Sequence, residues 1–138
     1  MPKVEKILPK QEKFWGKGTI VIPAPIEVDE IMRSVPKGKL ITINRIREKL
    51  AEKHDATMGC PITTGIFASI SAHAAEERRA EGETEITPWW RTVKEKGVLN
   101  PKYPGGMENQ KNLLEKEGFE IIKKGKKFVV SDYDKYLI

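Results

Sequence analysis

Cysteine, histidine and long apolar runs are all scarce in this sequence of 138 residues. Cys60 is the only cysteine, which excludes an internal disulfide and any metal site built from several cysteines. With only two histidines, we expect no structural zinc site, and nothing indicates another cofactor. No apolar run approaches bilayer length, and the first residues (MPKVEK) lack the apolar segment of a secretory signal. We therefore expect a cytoplasmic protein without membrane association, or a nucleoid-associated one.

Positive charge, in contrast, is in excess. The net charge is +5 and the pI is near 9.3, which favours polyanionic partners. A surface rich in lysine and glutamate is also common in thermophile proteins, so solubility alone explains the composition equally well. A chain of this length with 38% hydrophobic residues predicts one domain with a tail. We place the tail at 1–25, as a basic arm with a short strand, and the domain at 26–138.

The first 18 residues are rich in lysine and show no periodicity, which predicts a loosely held arm. The arm either folds back through Phe14 and Trp15 or contacts a phosphate backbone. After it, the β-branched run 19–22 (TIVI) predicts a strand, because Gly18 and Pro23 bound it. The chain therefore begins with little regular structure of its own.

Helical signals dominate the remainder. Proline and acidic residues at the start, apolar i,i+4 spacing and glycine at the end predict four helices. We expect them at 26–35, 43–53, 61–79 and 107–116, followed by a β-hairpin from 119–122 and 128–130. The predicted fold class is α+β, mainly helical, with a small C-terminal hairpin.

The second and third predicted helices resemble a helix-turn-helix pair. In the third helix, Ile62, Ile66 and Ile70 form one i,i+4 row. Beside them, small and mostly polar side chains cover part of the surface of the first turns, which permits close approach of this helix to a DNA groove. The same small residues permit close helix packing, so a plain helical pair fits equally well. The small residues are Thr63, Thr64, Gly65, Ser69 and Ser71.

A pair of tryptophans follows, in the segment 88–91 (PWWR). A rigid proline, two flat rings and a planar cation make a plausible element for base stacking and phosphate binding. Adjacent tryptophans are also typical of a hydrophobic core. The later run 100–106 (NPKYPGG) predicts a loop that brings backbone close to another surface.

The order of these segments resembles the O6-alkylguanine-DNA alkyltransferase family. The resemblance covers residues 26–122, which correspond to that family's DNA-binding domain, and implies a winged-helix or helix-turn-helix-like fold. Several motifs in one order are more specific than any single motif. The matching segments are 38–43 (GKLITI, for GEVxTY), 64–65 (TG, for AVG), 88–91 (PWWR, for PCHR), Gly97, 103–106 (YPGG, for YSGG) and 113–118 (LLEKEG, for LLxxEG).

One departure from the family pattern decides the expected chemistry. The alkyl-accepting cysteine and its activating histidine are replaced by Trp89 and Trp90. Neither side chain can act as that nucleophile. The pattern therefore is similar to the alkyltransferase-like proteins, which bind O6-alkylguanine in DNA without removing the alkyl group and mark it for nucleotide excision repair. The resemblance implies a monomeric non-enzyme that binds duplex DNA and engages excision-repair proteins.

The resemblance also implies which residues meet DNA. The third helix would enter the minor groove, lysines would hold phosphates, and Trp89 would pack against the extruded guanine. Replacing Trp89 with alanine should then abolish lesion preference and leave binding to plain DNA. The implied DNA contacts are Ile62, Thr63, Thr64, Gly65, Ser69, Arg91, Lys94, Lys96 and Lys102, and the implied lesion pocket is Pro88, Trp89, Tyr103, Pro104 and Gly105.

Two further departures leave alternatives open. The family's phosphate-rotating tyrosine is Ile43 here, and the arginine that fills the space of the flipped base is Ile62, which can act only as an apolar wedge. A winged-helix-like regulatory module without lesion recognition therefore fits as well. A third alternative is an enzyme that uses Cys60 as the acceptor, at the start of the third helix.

Overall fold

The computed structural model describes residues 2–8, 12, 16 and 18–138. Within these residues the protein has an α+β fold built from four helices, short strands and a C-terminal β-hairpin, which confirms the predicted fold class. The helices are α1 (Pro25–Arg33), α2 (Ile43–Lys53), α3 (Pro61–Ala80) and α4 (Gly106–Lys116). The strands are β1 (Lys3–Lys6), β2 (Thr19–Ile22), β3 (Ile41–Thr42), β4 (Met58–Gly59), β5 (Thr92–Val93), β6 (Ile121–Lys124) and β7 (Lys127–Val130). No helix in the described part of the chain has the length and apolarity to cross a membrane.

The helix ends lie within two residues of the predicted ones, and the local chemistry explains why. The Thr42 hydroxyl accepts a hydrogen bond from the Arg45 N–H at 3.1 Å and caps α2. Pro61 occupies the first turn of α3, where its missing N–H leaves no bond unmade. At the end of α1, the Ser34 hydroxyl turns back onto the Ile31 carbonyl at 2.6 Å, and Pro36 follows.

Residues 3–7, near the N-terminus, pair and pack with the rest of the chain. β1 pairs antiparallel with β2, and β2 pairs parallel with β4. Ile7 is almost completely buried and packs with Ile20 and Cys60. Residues 3–7 therefore fold back onto the rest of the chain, and the division at residue 25 stays a prediction. The predicted fold-back through Phe14 and Trp15 lies outside the described residues.

Two hydrophobic clusters form the body of the protein. The larger one joins α1, α2 and α3 around Trp89, with Tyr103 against it. The smaller one places Leu40, Leu99 and Phe119 between α4 and the hairpin. Trp90 packs against both clusters. β3 pairs parallel with β5, and this pairing connects the start of α2 to the segment after the tryptophans.

Helix α3 packs through its small residues. Thr64, Ala68, Ala72 and Ala75 are buried, whereas the isoleucines face outward. Ile62 is 63% exposed, and Ile66 and Ile70 are each 53% exposed. Small side chains let α3 approach the core closely, and this leaves an apolar row on the surface of the protein. We call Ile62, Ile66 and Ile70 the isoleucine row.

The buried Glu27 side chain predicts acid sensitivity. One oxygen accepts from the Ala24 N–H at 2.9 Å, and the other lies 2.7 Å from Lys53 Nζ and 2.6 Å from His54 Nε2. Burial favours a higher pKa for Glu27, but these hydrogen bonds more than offset it and lower the pKa to about 2. Because the folded pKa is depressed, the stabilisation is present above the ordinary pKa of 4.5. It is lost as pH falls toward 2.

We expect the free energy of unfolding to fall between pH 5 and pH 2, with Glu27 contributing on the order of 3 kcal/mol of that loss. Urea unfolding of wild type and Glu27→Gln at several pH values measures this contribution. The variant should start less stable at pH 6 and change less with acid. A variant with the same pH profile as wild type would show that Glu27 does not titrate in this range.

Candidate nucleic-acid interface

A long groove separates the exposed face of α3 from the loop 94–102. Its volume is about 920 Å³. The isoleucine row, together with Gly65 and Ser69, forms the α3 wall, and Lys94, Asn100 and Lys102 stand opposite. One wall is therefore mainly apolar and the other carries positive charge. We call this cavity the α3 groove.

Hydrogen bonds hold the loop against α3. The Lys102 carbonyl oxygen lies 3.0 Å from His73 Nε2 and accepts from the Ser69 hydroxyl at 3.4 Å. On the other side of the loop, the Asn100 N–H donates to Gln110 Oε1 at 2.9 Å. The buried Gln110 amide in turn donates to the carbonyls of Trp90 and Thr92. The lysine-bearing wall is thus anchored to both α3 and α4.

A second cavity of about 470 Å³ continues from the α3 groove. Gly65, Lys94 and Asn100 line both cavities. The remaining wall comes from the start of α2, the turn after β5 and the hairpin. It consists of Ile43, Asn44, Glu95, Lys96, Val98 and Lys127. We call this cavity the lysine cavity.

Gly65 leaves the helix backbone bare at the junction of the two cavities. Apart from its chain neighbours and the adjacent backbone of α3, no atom of the described residues lies within 4 Å of the position that a Cβ would occupy there. Packing inside the protein therefore does not require a glycine at position 65. Its effect is to widen the opening shared by the α3 groove and the lysine cavity.

Trp89 lies in the core rather than in an open pocket. Its ring is fully buried and packs edge-on against Trp90 at 5.8 Å and against Tyr103 at 5.5 Å between ring centroids. The Trp89 N–H and the Tyr103 hydroxyl make no hydrogen bond of ordinary geometry among the described residues. Burial raises the pKa of Tyr103 far above its ordinary value, which keeps the hydroxyl neutral. The two polar groups face different neighbours, the Trp89 N–H facing the Glu76 carboxylate and the Tyr103 hydroxyl facing Asn100.

The residues predicted to form a lesion pocket are close in space but enclose neither cavity. Trp89, Tyr103 and Pro104 are buried, Pro88 is half-buried, and Gly105 is exposed. Gly105 has a φ of 76° and lies against the Asn109 side chain, which donates to the Pro104 carbonyl at 3.0 Å. The rings of Trp89 and Tyr103 pack directly against each other and leave no open pocket between them.

Arg91 is occupied by internal partners, which corrects its assignment as a phosphate contact. Its guanidinium donates to the Glu117 carboxylate at 2.9–3.1 Å and to the Val35 carbonyl at 2.8 Å. Glu117 also accepts from the Trp90 N–H at 2.6 Å. Burial favours a higher pKa for Glu117, but hydrogen bonds from Arg91 and Trp90 hold it below its usual value. Arg91 therefore stabilises the fold beneath the groove.

Thr64 also requires correction as a DNA contact. Its side chain is fully buried in α3, because it occupies the row that packs into the core. Thr63 is half-buried, and its hydroxyl donates to the Cys60 sulfur at 3.2 Å. Neither threonine lines the α3 groove or the lysine cavity, whereas Ile62, Gly65 and Ser69 do line the groove.

Several groove residues were missed by the sequence reasoning. Ile66 and Ile70 were noted only as part of a periodic row. His73 follows Ile70 by three positions, and this i,i+3 spacing could have placed it on the same face of α3. Lys127 lines the lysine cavity, whereas the sequence indicated only a lysine-rich turn that is usually solvated but could meet phosphate. Cys60 is nearly buried in a separate hydrophobic cluster with Ile7 and Ile20.

Comparison with solved structures identifies the architecture. The chain shares its fold with Atl1 of S. pombe. The match to Atl1 in complex with damaged DNA containing O6-carboxymethylguanine has a TM-score of 0.59 and 20% identity, and it covers 83% of this chain and 93% of Atl1. A second S. pombe ATL structure in complex with DNA matches with a TM-score of 0.58, 20% identity and the same coverage. No protein-family model and no curated protein matches the sequence.

The two cavities lie on one face of the protein, and the fully buried Trp89 packs in the core beneath it. The α3 groove, the lysine cavity and the buried tryptophan adjoin one another through α3 and the segment that follows β5. Chemically, this face offers an apolar helix surface, several primary amines and a bare helix backbone. It offers shape and charge for an elongated anion.

Proposed function

We propose that this protein binds duplex DNA through the α3 groove and recognises O6-alkylguanine without chemical conversion of the base. The observation that carries the proposal is the groove itself, with the isoleucine row on one wall and Lys94 and Lys102 on the other. A groove of this composition suits a duplex, because apolar groups contact the sugar and base edges while amines neutralise phosphates. The shared fold with Atl1, which was crystallised with such damaged DNA, supports the choice of partner.

The contacts divide into two kinds. Lys94, Lys96 and Lys102 are exposed and reach outward, so they supply affinity that falls with salt and does not depend on sequence. Ile62 and Ser69 lie on the outer face of α3 and meet the base edges in the minor groove. An isoleucine can enter a base step as an apolar wedge, at a cost of a few kcal/mol of unstacking.

Lesion recognition is assigned to Trp89 and Tyr103. Both rings are closed against each other, so an extruded guanine enters only when they separate. Flipping costs a few kcal/mol and least for a damaged base, while stacking on an aromatic ring returns about 1–3 kcal/mol. A ring at this position cannot accept an alkyl group, so the role is non-enzymatic.

Gel shifts with matched duplexes, with and without O6-methylguanine, test this function. Wild type should bind the modified duplex more tightly. Because alanine would leave a large cavity at this core position, Trp89→Leu is the sharper variant and Trp89→Phe its control. Leucine should weaken binding of the lesion about 5- to 150-fold, the equivalent of the stacking energy of 1–3 kcal/mol. Phenylalanine should retain most of the preference, and both variants should bind plain DNA as wild type does.

A winged-helix-like DNA-binding module without lesion recognition is the second candidate. The complete burial of Trp89 and the presence of Ile43 and Ile62 at the family's tyrosine and arginine positions favour it. Equal affinity of wild type for the two duplexes would select this candidate. Mass spectrometry after incubation with the alkylated duplex checks the enzyme alternative, because transfer would leave a single alkyl adduct on Cys60.

The remaining assignments extend the leading proposal. We place the protein in the cytoplasm or with the nucleoid, as a monomer that signals to nucleotide excision repair proteins. The division into an arm at 1–25 and a domain at 26–138 belongs to the same proposal. Pairing of β1 with β2 and of β2 with β4 joins the two parts.

A further inference from the structure

The lysine cavity is the meeting point of three separate parts of the chain. Asn44 comes from the first turn of α2, Lys94 and Lys96 come from the turn after β5, and Lys127 begins the second strand of the hairpin. Lys94 and Lys127 are 33 positions apart in the sequence, and only the fold brings them to one cavity. The C-terminal hairpin thus reaches the same surface as α3.

Backbone hydrogen bonds hold these parts in place. The Leu99 N–H donates to the Phe128 carbonyl at 3.0 Å, and Val98 bridges to Val129, so the hairpin is fastened to the turn. On the opposite side, Thr42 pairs with Val93, which places the start of α2 beside Lys94. The backbone beneath each lysine is therefore positioned by secondary structure rather than by a free loop.

The turn that carries Lys96 has an unusual backbone conformation. Lys96 adopts a left-handed conformation with φ of 60°, and Gly97 follows with φ of 75°. A Cβ on Gly97 would lie 2.6 Å from the Tyr133 Cβ, so the turn is pressed against the C-terminal segment. A non-glycine residue in this conformation is unfavourable and persists only where its surroundings enforce it. The fold thus enforces the position of Lys96 at the edge of the cavity.

Positive charge in the lysine cavity is not neutralised internally. Among the described residues, Lys94, Lys96 and Lys127 form no ion pair, and Glu95 is the one carboxylate on the lining. Other exposed lysines behave differently, since Lys53 and Lys135 have carboxylate partners at 2.7 and 3.8 Å. Three unpaired amines around one cavity attract an anion, and the cavity opens into the α3 groove.

We propose that the lysine cavity binds a backbone phosphate of the duplex that occupies the α3 groove, and that Lys127 makes the C-terminal hairpin part of the DNA interface. The inference rests on the proposed DNA binding but not on lesion recognition. A strand leaving the groove past Gly65 and Lys94 enters the cavity directly, because both residues line both spaces. The hairpin then acts as a clamp that lengthens the footprint on the DNA.

Lys127→Gln tests the inference, with Lys123→Gln as the matched control. Both lysines are exposed on the hairpin, but strand alternation places Lys123 on the opposite face, paired with Phe128. The measurement is affinity for an unmodified duplex as a function of salt. Each phosphate contact contributes about 0.9 to the slope of log affinity against log salt, or about threefold between 50 and 200 mM.

Wild type and Lys123→Gln should share one slope, and Lys127→Gln should lose about 0.9 of it. Thermal melts should show all three proteins equally folded, since neither lysine has a described partner to lose. Equal slopes for Lys127→Gln and wild type, or an equal loss in both variants, would overturn the inference while DNA binding stands. Absence of DNA binding by wild type would remove both the inference and the proposed function.

Discussion

Replacing Glu117 with alanine should lower the free energy of unfolding by about 3–5 kcal/mol, as expected when one partner of a buried ion pair is removed. Glu117 is 9% exposed and holds both the Arg91 guanidinium and the Trp90 N–H. Its loss leaves Arg91 charged and buried with the Val35 carbonyl as its remaining acceptor. Urea unfolding at pH 7 measures the change.

Glu115→Ala is the matched control for this prediction. Glu115 lies in the last turn of α4, two residues before Glu117, is 44% exposed and has a single lysine contact at 3.9 Å. An exposed pair of this kind contributes about 0–1 kcal/mol. Equal losses in the two variants would mean that the Glu117 network does not stabilise the fold, contrary to the geometry.

Replacing Trp89 with alanine should also destabilise the protein by about 3–5 kcal/mol, the usual cost of truncating a buried tryptophan. The ring is fully buried and contacts Trp90 and Tyr103 edge-on, so truncation leaves a cavity between these two rings. Denaturant unfolding measures the loss. A weak DNA affinity of this variant would therefore report on folding as well as on recognition.

Ile62→Ala provides the contrast on stability. Ile62 is large and apolar but 63% exposed, so its truncation should change the unfolding free energy by less than about 0.5 kcal/mol. If Trp89→Ala were as mild as Ile62→Ala, the core around Trp89 would have to be loose enough to open freely. Such a result would favour a permanently accessible lesion pocket over a closed one.

Local signals predicted most of the regular structure. Helix α2 begins and ends at the predicted residues because Thr42 caps it and its apolar spacing is regular. Strand β1 was not predicted because all four of its side chains (KVEK) are exposed, so no alternation marks it. Its pairing with β2 is a long-range backbone interaction that side-chain patterns do not record.

The orientation of α3 shows why the candidate site was predicted only in part. Two rows at helical spacing were available, the isoleucine row and the row of Thr64, Ala68, Ala72 and Ala75. Hydrophobicity alone favours burial of the isoleucines, but close approach to the neighbouring elements leaves room only for the small side chains. Thr64 was therefore misassigned, while Ile66 and Ile70 were left out of the site.

The cations of the candidate site were also predicted only in part. Lys94, Lys96 and Lys102 were predicted as phosphate contacts, and each lines at least one of the two cavities. The pairing of Arg91 with Glu117 joins positions 26 apart, and the contact of Val98 with Val129 joins positions 31 apart. Such contacts decide which cations are free, and a single sequence does not reveal them.

Gly65 shows a compromise between stability and activity in α3. A glycine inside a helix is about 0.5–1 kcal/mol less favourable than alanine, because it restricts a more flexible chain. The space around Gly65 would admit a methyl group without contact to any described atom beyond its chain neighbours and the adjacent backbone of α3. The internal packing of the protein therefore does not explain the loss of helix stability. On the proposed function, a DNA strand that passes the junction of the two cavities would come close to the bare backbone there, which is the benefit we assign to this glycine.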